Sequence, residues 1–156
     1  MKGPVKFRPW LQGFCPLESY MDPIAEAAIE LEMPLIFHDG TPPYSTPLQI
    51  GELARRFPEL TVMLGHSGLR DLWLAALAAA HRYPNILLCL CGPAPYGIER
   101  IVSELPPERI LFGSDAGFMA SPGMREYRIG QIRRLPVSDE AKAMILGDNA
   151  VRIFGL

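Results

Sequence analysis

The sequence predicts an α/β fold on parallel strands, and three observations carry that prediction. Short apolar runs without polar alternation recur: Leu35-Ile36-Phe37, Thr61-Val62-Met63-Leu64, Ile86-Leu87-Leu88-Cys89-Leu90-Cys91 and Ile110-Leu111-Phe112. Segments with apolar residues at helical spacing lie between them. Prolines punctuate nearly every junction. Strands alternating with helices form right-handed βαβ units and a parallel sheet. Strands apolar on both faces need a sheet covered on both sides or closed into a barrel.

Taken in order, Val5-Lys6-Phe7-Arg8 reads as a short strand stopped by Pro9. Asp22-Pro23 has the chemistry of a helix start, Asp as N-cap and Pro at the first helical position. Ile24, Ala27, Ala28 and Leu31 then share one helical face. Pro34 ends that helix, and a strand runs to His38. Thr46-Pro47 repeats the start signal, with Ile50, Leu53, Ala54 and Phe57 as the buried face. The strand at 61–64 follows Pro58. Asp71 is the expected cap of the next helix, with Trp73, Ala76, Leu77 and Ala80 inward. After the strand at 86–91 comes a short helix at 97–105, with Ile98, Ile101, Val102 and Leu105 inward. Pro106-Pro107 precedes the last strand, 110–114. A loop containing Gly117, Ser121, Pro122 and Gly123 leads to a helix near 124–135. A second helix, 138–154, is expected to bend at Gly147. No linker or composition shift divides the chain, so residues 1–156 read as a single domain.

Composition narrows the function. With 49% apolar and 21% charged residues, the chain has the makings of a packed core and not of a disordered segment. A net charge of -2 without any basic run argues against nucleic acid or an anionic membrane as a partner. No stretch approaches the roughly 20 apolar residues of a membrane-spanning helix, and residues 1–10 lack the apolar centre of a signal peptide. Three cysteines (Cys15, Cys89, Cys91) and no export signal predict a reduced, cytoplasmic protein. Cys89 and Cys91 read as buried strand residues, because no further soft ligands are spaced to complete a zinc site.

In a parallel sheet the C-terminal ends of all strands open on one side. Arg8, His38, His66 and Asp115 all fall at that level, and Lys6 lies two residues before Arg8. Two histidines and a carboxylate are ligand types of a catalytic divalent ion. An aspartate or histidine beside it can carry protons. Lys6 and Arg8, two residues apart, share a strand face and suit a substrate carboxylate. His81 lies in the last turn of a helix, where a cation suits the dipole, and reads as a surface residue.

These residues also resemble a family. The segments Val5-Lys6-Phe7-Arg8-Pro9, Pro34-Leu35-Ile36-Phe37-His38, Gly65-His66-Ser67-Gly68, Tyr83-Pro84-Asn85, Phe112-Gly113-Ser114-Asp115 and Asp148-Asn149-Ala150-Val151-Arg152-Ile153-Phe154-Gly155 look like successive blocks of the amidohydrolase-related, metal-dependent hydrolases. That family includes aminocarboxymuconate-semialdehyde decarboxylase-like enzymes. The resemblance implies strands four to eight of an incomplete TIM (β/α)8 barrel. It implies one divalent metal, zinc by preference, with His38 and Asp115 as ligands. His66 and Asp115 would be catalytic, and Lys6 and Arg8 would bind substrate. Arg8 stands where the family often has histidine. The His-x-His pair that supplies two further ligands from the family's first strand has no counterpart, so metal is expected to bind weakly or not at all to this chain alone. The expected activity is hydrolysis or non-oxidative decarboxylation of a small carboxylated molecule. The alternative is a non-catalytic remnant or interaction subunit. A phosphate-binding α/β protein fits less well, since no Gly-rich phosphate loop occurs. Open sheet edges predict a homo-oligomer.

Overall fold

The computed structural model describes residues 3–117 and 123–156. Five strands, β1 (Val5–Phe7), β2 (Leu35–Phe37), β3 (Val62–Leu64), β4 (Ile86–Cys89) and β5 (Ile110–Leu111), form one parallel sheet in that order. The monotonic order is informative. Right-handed crossovers between successive neighbours place every connecting helix on the same face, as in a barrel and unlike a doubly wound sheet. The chain is thus an incomplete (β/α)8 barrel.

Register separates the two faces. Phe7, Phe37, Leu64, Leu88 and Ile110 pair across the sheet in one row. Most of that row, with Leu35, Val62 and Ile86, joins the main core under the helices. The alternate row, Lys6, Ile36, Met63 and Leu87, lies on the opposite, inner face. Lys6 is its one charged member and belongs to the edge strand.

The helices are α1 (Pro9–Gln12), α2 (Met21–Glu30), α3 (Pro47–Arg56), α4 (Trp73–Arg82), α5 (Pro95–Glu104), α6 (Met124–Arg133), α7 (Asp139–Ala143) and α8 (Asn149–Phe154). Thr46-Pro47 begins α3 as expected, through a capping box. The Thr46 hydroxyl accepts from the Gln49 N–H at 3.3 Å, and the Gln49 side chain accepts from the Thr46 N–H at 2.8 Å. Asp22 is not an N-cap. Residues 18–20 already turn, so α2 starts at Met21, and the Asp22 carboxylate instead meets Arg56 of α3 at 2.5 Å. Asp71 does not cap α4 either, whose N-cap is Leu72 without a side-chain bond. Pro95 opens α5 two residues before the expected start. The expected bend at Gly147 is a π-helical turn, Met144–Asp148, between α7 and α8. Ser121 and Pro122 of the preceding loop lie outside the described residues.

The two sheet edges differ. On β5, the outward Phe112 N–H donates to Ile145 O at 2.7 Å, and Asn149 Nδ2 donates to Ile110 O at 2.9 Å. The chain's own C-terminal segment therefore seals that edge. On β1, Val5 N–H bonds Pro34 O at 3.0 Å and Phe7 O accepts from His38 N–H at 2.8 Å. Strand alternation then turns the backbone of Lys6 the other way, where no described strand pairs with it. The inner face is partly covered from the same C-terminal side: Ala150, Ile153 and Phe154 pack with Met63, Leu87 and Leu111.

Candidate active site at the C-terminal strand ends

All five predicted site residues meet. Lys6, Arg8, His38, His66 and Asp115, together with Trp10, line a cavity of about 70 Å³ at the C-terminal ends of β1, β2, β3 and β5. A larger cavity, about 410 Å³, opens at the opposite strand ends around Pro34, Leu60, Thr61 and Asn85, with Glu32, Glu59 and Arg152 also in its lining and no histidine. The two histidines lie instead at the C-terminal strand ends, the side on which barrel enzymes keep their active sites.

Each side chain is placed by a local device. Lys6 projects from the inner row of β1. A Cβ on Gly65 would come within 2.7 Å of the Phe37 carbonyl oxygen, so the backbone requires glycine at the end of β3, and Lys6 Nζ uses the space left, 2.6 Å from where that Cβ would stand. Arg8 follows β1 and precedes α1, its N–H bonded to Gln12 Oε1 at 2.6 Å. The helical turn of α1 brings Trp10 to 5.9 Å from the His38 ring. The His38 and His66 rings stand edge to face with centroids 4.5 Å apart. His38 Nε2 also lies 3.1 Å from Thr41 Oγ1. Asp115 sits beyond β5 with φ 52°, in the left-handed region that aspartate adopts more readily than most non-glycine residues.

His66 is held from two sides. Its backbone N–H donates to Asp39 Oδ1 at 2.6 Å, and the Gly68 N–H donates to Asp39 Oδ2. Asp39 is fully buried. Loss of solvent raises its carboxyl from 3.8 to about 6, against those backbone bonds, which favour the ionised form. On the ring, Nδ1 lies 3.2 Å from Cys91 Sγ. Asp39, Cys91 and Trp10 are the residues that sequence reasoning missed. Asp39 stood next to His38 and signalled only a turn. Cys91 was read as a buried strand residue, and it is buried, but its contact with the end of β3 depends on strand neighbourhood.

The electrostatics favour an anion. Burial first, then His66, Lys6 and Arg8, lower the pKa of His38 from 6.5 to about 4, with Asp115 opposing. The imidazole is therefore neutral near pH 7, with a lone pair to offer. His81 is exposed on α4, 3.1 Å from Glu104, as expected of a surface residue.

The donors fit a divalent ion by type but not by number. Among the described residues, no three His, Cys, Asp or Glu side chains stand close enough to hold a metal. Both imidazoles also have other partners, Thr41 and Cys91. The described residues by themselves do not enclose a metal.

The fold and site together define a partial (β/α)8 barrel with a polar cluster at its catalytic end. Residues 4–156 match the amidohydrolase family model, and the chain belongs to that family. Comparison with curated proteins finds no match. Among solved structures, it is similar to an uncharacterized TIM-barrel protein of Bordetella bronchiseptica, with 22% identity and TM-score 0.73 over 91% of this chain and 52% of that one. A 4-oxalomesaconate hydratase of Rhodopseudomonas palustris is 21% identical, with TM-score 0.69 over 97% of this chain and 56% of its own. A dihydroxybenzoic acid decarboxylase of Polaromonas sp. JS666, solved with bound manganese and 2-nitroresorcinol, is 17% identical, with TM-score 0.67 over 91% of this chain and 55% of its own. The chain spans a little over half the length of these proteins.

Proposed function

We propose that this chain carries the anion-binding and proton-transfer part of an amidohydrolase-type active site. That site acts on a small carboxylated substrate, by hydrolysis or by non-oxidative loss of carbon dioxide. The observation that carries the reading is the meeting of two cations, two imidazoles and a carboxylate at the catalytic end of the barrel. Lys6 and Arg8 bind the substrate carboxylate, Arg8 through its planar fork and Lys6 as a point charge. His66 and Asp115 carry protons, taking one from water in hydrolysis or giving one to the carbon that loses carbon dioxide. The hydratase and the decarboxylase among the structural relatives support a carboxylated substrate, and the manganese-bound relative supports a divalent ion.

His38 and Asp115 are the donors this chain would contribute to such an ion, zinc or manganese. The remaining ligands would come from outside these residues, because the described donors do not enclose a metal. The same observation favours a second reading, a non-catalytic subunit that keeps the fold. Metal content after loading with zinc or manganese, measured with turnover of a panel of hydroxybenzoates and unsaturated dicarboxylates, separates the two. The enzymatic reading expects turnover that is lost in His66→Ala and weakened mainly in KM by Arg8→Ala. A chain that neither retains metal, nor turns over any member of the panel, nor binds one through Lys6 and Arg8 supports the second reading.

A further inference from the structure

We infer that Cys91 is a positioning residue that holds His66 as the Nδ1–H tautomer, leaving Nε2 as its free nitrogen. The inference rests on the proton-carrying role proposed for His66, but its geometry stands apart from any activity. Cys91 Sγ has one oxygen and one nitrogen neighbour at the end of β3, Gly65 O at 3.0 Å and His66 Nδ1 at 3.2 Å, and it also shares a hydrogen bond with the Cys89 side chain. A carbonyl oxygen only accepts, and a thiol has one proton. If that proton went to Nδ1, the sulfur and the carbonyl oxygen would face each other with lone pairs alone. Donation to Gly65 O removes that repulsion and turns a sulfur lone pair toward the ring. Nδ1 must then carry the hydrogen that the sulfur accepts.

The surroundings keep the arrangement in place. The neighbouring Cys89 side chain, followed by burial, pushes the Cys91 thiol well above the ordinary thiol range, so it keeps its proton. The backbone of His66 is pinned independently by Asp39 at 2.6 Å. The ring is held between the buried thiol and His38, whose centroid is 4.5 Å away. His66 itself is 5% exposed, so water cannot easily substitute for the thiol. With Nδ1 occupied, Nε2 meets substrate or water as a proton acceptor, which is the state a base must start from. Outer-shell hydrogen bonds to a functional histidine set its tautomer and orientation in this manner.

Long-range ¹H–¹⁵N spectra of the imidazoles in the purified chain test the inference without an assay. The protein has three histidines, and His38→Gln and His81→Gln assign the His66 signals by elimination. The expected pattern for His66 is a protonated Nδ1 and a bare Nε2. Cys91→Ser, which keeps one proton and one acceptor, should preserve that pattern, and Cys91→Ala should give averaged tautomers. In turnover, Cys91→Ala should lower kcat by about 10- to 100-fold with little change in KM, and Cys91→Ser should recover most of it. A protonated Nε2 in the wild-type chain overturns the inference, as does an unchanged tautomer in Cys91→Ala. If no variant turns over substrate but the tautomer behaves as expected, the positioning role stands and the enzymatic reading falls.

Discussion

Asp39 shows how much of the site depends on a single buried group. It accepts two backbone N–H bonds from the turn that carries His66. Asp39→Ala leaves two buried donors without partners, at a cost of roughly 2 to 5 kcal/mol from the usual penalty per group. That cost depends on pH. The folded carboxyl is raised from 3.8 to about 6, so between those values the folded state keeps a proton that the unfolded state has lost. Stability from this group is complete below the lower value and declines as pH rises through the higher one. Denaturant unfolding of wild type and Asp39→Ala should therefore show a difference that shrinks as pH rises from about 4 to about 6 and levels off above that. A difference that grows with pH would contradict the assignment. Arg8, His38, His66 and Asp115 were legible in the sequence because each follows or ends a strand segment, which fixes its height on the sheet, and Lys6 because it lies two residues before Arg8 on the same strand face. Asp39, Trp10 and Cys91 were not, because their roles depend on which strand end lies beside which.

At the scale of elements, side chains that tie strand ends together set the geometry. Asn85 Nδ2 donates to Ala54 O, Phe57 O and Leu60 O at 3.0, 3.0 and 2.9 Å, closing the path from α3 into β3. Arg109 reaches Ala80 O, Tyr83 O and Ile86 O in the same way between α4 and β4. The capping box on α3 is a local device by comparison. Thr46→Ala should cost about 1 kcal/mol in thermal or denaturant unfolding and leave the imidazole spectra unchanged. A neutral result would mean that Pro47 alone fixes the start of α3. Helix starts were readable where Ser or Thr caps act within four residues, at Thr46 and Ser138. They were misread at Asp22 and Asp71. Asp22 pairs with Arg56, a partner 34 residues away, and the turns before α2 and α4 do not place either aspartate at the N-cap.

For the whole molecule, the two edges of the sheet predict different behaviour. The β5 edge is satisfied by Ile145 O and Asn149. The β1 edge has no strand partner among the described residues, and an apolar cavity of about 310 Å³, lined by Val5, Ile24, Ala27, Leu31 and Leu35 among others, lies beside it. If the chain self-associates, as open edges suggest, it should do so through β1 and α2. Sedimentation should then give a mass above the 17.3 kDa of one chain, and Ile24→Lys with Leu31→Lys should return it to that value. A monomeric wild type would contradict this. The alternation of strands and helices made the parallel sheet predictable. The sealed β5 edge was not, since nothing in a linear pattern shows Asn149 reaching back 39 residues to Ile110.

The central claim is that Lys6, Arg8, His38 and His66 form one site for a carboxylate. The most direct measurement is a titration of the chain with a hydroxybenzoate or small dicarboxylate, following the ring signals of its three histidines. Saturable shifts of His38 and His66 are expected, with no shift of His81 and loss of the response in a Lys6→Ala, Arg8→Ala double variant. Equal shifts at all three rings, or a response that survives the double variant, would contradict it.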